Sequence, residues 1–177
     1  MQIPLIQKSN GMYLFCSKDF DSVAELVLRE YAPYMLKKAQ PLQIEALADE
    51  AYSLTILDRY LSARGSVLGM ISFDDINVEV MSLEKQVVKE KYMSGTIVVD
   101  ARLMIDEQHH RRRFTVSHEV AHWIIHRQMY YADGPKYNLR HEKRFIACRE
   151  AITNREKRRE YWSESDWLEW QADRFAS

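Results

Sequence analysis

Phe114-Thr115-Val116-Ser117-His118-Glu119-Val120-Ala121-His122-Trp123-Ile124-Ile125-His126 is the stretch on which the reading of this chain turns. It places His-Glu-x-x-His inside a run flanked by apolar Phe114, Ile124 and Ile125, as in a buried helix. Residues four apart on an α-helix lie one above the other on one face. The imidazoles of His118 and His122 therefore stand side by side, close enough for one metal ion. Glu119 is rotated slightly off that face, where its carboxylate reaches a metal-bound water without ligating the metal. Two neutral imidazoles and a general base are what zinc-dependent hydrolysis needs. A helix that merely buries two histidines can carry the same three residues by chance. Small Ala121, which lets another element approach the metal face, and a suitable carboxylate further along favour the metal.

A catalytic zinc keeps three protein ligands and an open position. His126 shares the stripe of His118 and His122, but positions eight apart on a helix are separated by about 12 Å and zinc–nitrogen bonds are about 2 Å. His126 is thus expected at the helix end or in support of a ligand. The metzincin continuation is excluded, because Ile125 and Gln128 stand where it requires Gly and His. That leaves a carboxylate from a second helix, opened by Ser163 with Asp166 three later as a capping box. On it Glu169 is followed one turn later by Asp173, which can accept the spare N–H of His118 and fix its tautomer. Glu160 and Glu164 lack such a partner. An exposed helical glutamate is the plain alternative for Glu169, and its apolar neighbours Leu168 and Trp170 speak against it.

Residues 1–18 read as irregular. Phe20, Val23, Ala24, Val27, Leu28 and Tyr31 then repeat at three and four, the stripe of an amphipathic helix starting at Asp19. Pro33 ends or kinks it. Pro41 suits the first turn of a second helix, with Ile44, Leu47, Ala48 and Ala51 on its buried side. Two helices with a short break can signal a DNA-binding helix-turn-helix. Glu45, Asp49 and Glu50 would set an acidic recognition helix against phosphate, which disfavours that reading.

Period-two alternation predicts strands over residues 54–61, 67–73, 76–80 and 95–100, with Gly69 marking a bulge or a close backbone approach and Asp74-Asp75 a tight turn. Charged residues 84–91 read as a loop or an exposed helical turn. The short connections predict a small, mostly antiparallel sheet.

Asp106 is placed to N-cap the motif helix, which should end near Gln128. Arg111-Arg112-Arg113 reads as a solvated or ion-paired face rather than a patch steering an acidic partner. Asp133-Gly134-Pro135 is a turn. Residues 142–159 read as a helix with Phe145, Ile146, Cys148 and Ile152 inward and a basic outer face.

With 177 residues, 46% hydrophobic and 29% charged, the chain can bury a core of its own. A net charge of −1 gives no drive toward nucleic acid. No apolar run approaches the roughly 20 residues that span a bilayer, and the N-terminus lacks secretory-signal features. Cys16 and Cys148 form no metal-type pair and read as reduced thiols. These features predict a cytoplasmic protein with no membrane contact.

Residues 113–126, together with Glu169-Trp170-Gln171-Ala172-Asp173-Arg174-Phe175-Ala176, resemble the ImmA/IrrE family of metallo-endopeptidases, of the gluzincin type. Weaker similarity covers Pro41 to Phe73, with its Leu68-Gly69 hairpin, and the strand at Thr96. The resemblance implies an α+β, zincin-like fold, a small sheet packed with helices. It implies His118, His122 and Glu169 as zinc ligands and Glu119 as general base. It further implies a protein substrate, a helix-turn-helix transcriptional repressor cut to induce a mobile-element or stress response. Two departures stand out: a longer separation of His122 from Glu169, and the absence of a Leu-Leu-Met-Pro segment after Phe175-Ala176.

The expected organisation is an N-terminal extension with one helix over 1–40 and a C-terminally truncated metallopeptidase domain over 41–177, in one compact unit. An extended substrate is expected to pair with the strand at residues 96–99. The oxyanion donor is expected among Tyr130, Tyr131, His126 and His141. A rival of another class is a non-catalytic zinc-containing module that regulates a repressor by binding it, and such a module has no chemical need for Glu119.

Overall fold

A computed structural model describes residues 2–38, 40–130, 145–149 and 159–177 of the chain. Within them lie four α-helices: α1 (Ser17–Tyr31), α2 (Ile44–Tyr52), α3 (His109–His126) and α4 (Glu164–Ala176). Six strands accompany them: β1 (Thr55–Arg59), β2 (Val67–Ser72), β3 (Ile76–Met81), β4 (Val87–Tyr92), β5 (Thr96–Asp100) and β6 (Phe145–Arg149). The fold is mixed α+β. No helix among the described residues is long and apolar enough to cross a membrane.

The main sheet has four strands in the order β1-β5-β2-β6, and β3 and β4 form a separate two-stranded ribbon. β2 pairs antiparallel with both β5 and β6, while β1 and β5 are parallel. The expectation that connections were too short for a crossover therefore fails for β1 and β5. The chain runs through β2, β3 and β4 between them, ample length to return in the same direction.

All five residues of β5 are buried, because both faces of the sheet are covered. Alternation sorts them. Ile97 and Val99 of β5, with Ile71 of β2, face Val116, Val120 and Ile124 of α3. Val98 and Met70 face the other way, onto Val80 of β3 and Tyr92 of β4. Helices, sheet and ribbon thus make three layers with an apolar cluster on each face of the sheet. Asp100 closes β5 as a satisfied buried carboxylate. It accepts from the backbone N–H groups of Arg102 (3.0 Å) and Leu61 (3.2 Å) and pairs with the Arg102 guanidinium at 2.9 Å.

Several local expectations need correction. β4 occupies much of the segment read as a charged loop. Its alternation is real: Val88, Glu90 and Tyr92 turn inward, and Glu90 is held there by Arg59 at 2.9 Å. Phe145–Arg149, read as helix, is the strand β6. The rest of that segment, and the turn at Asp133-Gly134-Pro135, lie outside the described residues.

Pro41 precedes α2 rather than entering its first turn. Asp106 does not cap α3; it opens a 3-10 turn, Asp106–Gln108, that leads into the helix. The N-terminus is ordered by a bridge between Gln7 and Tyr13. Ile3 and Tyr13 join Val23 and Val27 of α1 in the main core.

Candidate metal centre

α3 lies against β2 and β5, and α4 packs on α3. Everything from Val120 to His126 on α3 is buried, including Ala121, which has no exposed surface. The flanking Phe114 departs from the expected burial: it is 41% exposed, with its ring centroid 6.3 Å from that of His118. α4 starts where the capping box predicted. Ser163 Oγ accepts from the Asp166 backbone N–H at 3.2 Å, and Asp166 Oδ2 accepts from the Ser163 N–H at 2.8 Å. That start sets the rotation of α4, which delivers Glu169 and Asp173 to α3.

Three ligand-capable side chains converge: His118, His122 and Glu169. The Nε2 atoms of the two histidines are 2.9 Å apart. Glu169 Oε2 lies 3.2 Å from His118 Nε2, and its Oε1 lies 3.7 Å from His122 Nε2. Ligands on a tetrahedral zinc with bonds near 2.0–2.1 Å sit about 3.3 Å from one another, a value these three separations straddle. His118 Nδ1 is 2.9 Å from Asp173 Oδ1. The carboxylate can only accept, so the His118 hydrogen sits on Nδ1 and its Nε2 lone pair faces the other ligands. Nitrogen lone pairs and a carboxylate turned toward one point are what a shared cation satisfies, so this buried cluster can hold a metal ion.

The electrostatics fit that reading. Burial pushes the His122 imidazole below its ordinary value, against the pull of Glu169. Burial, and next His122, push His126 well below as well. Metal binding requires unprotonated imidazole ligands, and burial favours that state at His122.

Glu119 is fully buried and is not among the convergent ligand atoms. Its carboxylate lies against β2 at Gly69: a Cβ there would come within 2.6 Å of both Glu119 Oε1 and Thr115 Cγ2. The close approach expected at Gly69 is therefore real, and its partner is Glu119 of the motif. β2 is also irregular here, its register with β6 shifting between Val67 and Gly69.

His126 lies outside the convergent group. Its Nδ1 lies 2.8 Å from His122 Nδ1 and its Nε2 lies 2.9 Å from Gln171 Oε1. Both ring nitrogens are engaged, which removes His126 from the oxyanion candidates. Tyr131 and His141 lie outside the described residues. Tyr130 stacks on Phe73 at 4.3 Å.

The substrate edge needs correction too: β5 is flanked by β1 and β2, so residues 96–99 offer no free edge. The arginine run is internally paired as expected. Arg112 binds Asp58 and Glu45, and Arg113 donates to the Leu42 carbonyl at 3.0 Å. Sequence reasoning missed Gln171 and Tyr13, although Gln171 sits between Glu169 and Asp173 in the quoted segment. Compared with family models, curated proteins and solved structures, the chain matches none.

Proposed function

We propose that the chain is a zinc-dependent endopeptidase with a zincin-like arrangement, of the ImmA/IrrE kind, which hydrolyses a peptide bond in a protein substrate. The observation that carries this reading is the convergence of His118, His122 and Glu169 from two helices, with Glu119 on the next position of α3 and outside the ligand set. His118, His122 and Glu169 would hold the zinc. The chemistry supplied by a bound zinc is Lewis acidity, which acidifies water and polarises a carbonyl. Glu119 accepts a proton from the attacking water as its oxygen bonds to the scissile carbon. It returns the proton to the leaving nitrogen as the C–N bond breaks. Asp173 holds the ring of His118 in place.

Among the described residues β6 pairs on one side only, with β2. Ile146 of β6 packs beside Met129 and Leu168, next to Glu169 in the chain. An extended substrate would add at β6 rather than β5. A helix-turn-helix repressor is the substrate class we favour, in keeping with the resemblance of the motif segments.

The test is zinc content of the purified protein, followed by incubation with the repressor encoded beside its gene and mass spectrometry of the products. We expect about one zinc per chain, as a single three-ligand site implies. Cleavage should occur with wild type and not with Glu119→Gln. Binding of an uncut repressor by both proteins would instead make the chain a zinc-containing regulator without catalysis.

A further inference from the structure

We infer that His126 and Gln171 are positioning residues that hold His122 in the tautomer with its hydrogen on Nδ1, and that the backbone carbonyl of Tyr13 sets the direction of the whole chain of bonds. This rests on His122 being a metal ligand, not on the reaction. A carbonyl oxygen only accepts. Gln171 Nε2 donates to it at 3.0 Å, which fixes the orientation of the amide. Gln171 Oε1 then faces His126 Nε2 at 2.9 Å and also only accepts, so the His126 hydrogen is on Nε2. A neutral imidazole carries one hydrogen, so His126 Nδ1 is a lone pair. His122 Nδ1, 2.8 Å away, must donate to it. His122 Nε2 is left bare, facing His118 Nε2 and Glu169.

Each link permits one direction only. Rotating the Gln171 amide would set its oxygen against the Tyr13 carbonyl, acceptor against acceptor. His126 and Gln171 are both buried, so no water is at hand to repair a reversed bond. Tyr13 is itself held: it bridges to Gln7, its phenol bonds Gln128 and Gln7, and Gln7 Nε2 donates to Gln128 Oε1 at 2.7 Å. The N-terminal segment, which lies outside the region of family resemblance, is thereby built into the metal centre from behind. The two imidazole ligands have separate anchors: Asp173 for His118, and the Tyr13 carbonyl, three hydrogen bonds removed, for His122.

The full chain is tested with zinc alone as probe, by two readouts: nitrogen-15 NMR of the His122 ring in zinc-free protein near neutral pH, and zinc affinity by chelator competition. Wild type should show the His122 hydrogen on Nδ1. His126→Phe removes the acceptor, should move that hydrogen toward Nε2, and should weaken zinc binding about 10–100-fold. His126→Asn keeps an acceptor oxygen near the Nδ1 position and should recover most of both. A hydrogen on Nε2 in wild type, or unchanged zinc affinity in His126→Phe, overturns the inference. Should His126→Phe fail to fold, the wild-type spectrum decides alone. Absent peptidase activity with the expected tautomer would remove the proposed reaction and leave this inference standing.

Discussion

At Gly69 one hydrogen in place of a side chain decides where the motif's glutamate lies. A Cβ would meet Glu119 Oε1 and Thr115 Cγ2 at 2.6 Å each. Thr115 is buried and its hydroxyl is bonded to the Arg111 carbonyl at 2.9 Å, so the carboxylate is the group that can move. Gly69→Ala should therefore lower kcat/KM for a cleaved substrate roughly 100-fold, the order expected when a catalytic group shifts by about 1 Å. Zinc affinity should hardly change, because Glu119 is not a ligand. Full activity in Gly69→Ala would show that the carboxylate works from another position.

The ligands' supports are graded by exposure. Asp173 is half-exposed while His126 is fully buried. Water can stand in for Asp173, so Asp173→Ala should lie at the low end of the roughly 10–100-fold losses typical of groups that orient a ligand. Glu169→Ala would remove one of the three proposed ligands and should strip zinc during purification. Retained stoichiometric zinc would mean another third ligand.

α4 is positioned by its first turn, and its stability and the site's are coupled through that cap. Ser163→Ala should cost about 1 kcal/mol, as loss of an N-cap side chain does, and lower Tm by roughly 2–4 °C in a chain of this size. Because α4 carries Glu169 and Asp173, zinc-free protein should suffer more than zinc-loaded protein. Equal losses measured by calorimetry would argue against that coupling.

Both helices that carry the cluster were legible in the sequence, since their signals are local: His118 and His122 four apart, Glu169 and Asp173 four apart, Ser163 and Asp166 three apart. β4 was not, because Glu90 sits at an inward position and only Arg59, from a distant strand, shows why a charge is tolerated there. β6 was misread because Phe145, Ile146 and Cys148 fit a helical stripe as well as a strand. Its pairing with β2, Ile71 opposite Ile146, is a long-range choice that no local pattern carries. The support of His126 was half visible. Its spacing excluded it as a ligand, but nothing in the spacing pointed to Gln171 or Tyr13.

At the scale of the molecule, a metal held by this cluster would join two helices that the chain separates by the segment containing β6. A ligand that binds only the folded state stabilises it by mass action, about 2.7 kcal/mol at a free concentration one hundred times Kd. Zinc should raise Tm, chelation should reverse the rise, and His118→Ala should abolish the response. A Tm indifferent to zinc would mean that the cluster is not a binding site.

The strand order has a consequence in time. β5 sits at the centre of the sheet between β1 and β2, while β4, its immediate predecessor in the chain, pairs elsewhere. Closing the sheet means closing long loops before their contacts reward the entropy lost. Refolding should accordingly run in milliseconds to seconds rather than microseconds, within the range of stopped-flow fluorescence from the tryptophans. Zinc held by His118, His122 and Glu169 would touch only α3 and α4, and a bridge between helices does nothing to bring distant strands together. It should slow the unfolding limb of a chevron and leave the refolding limb where it is, so that occupancy governs how long the native state lasts rather than how quickly it is reached.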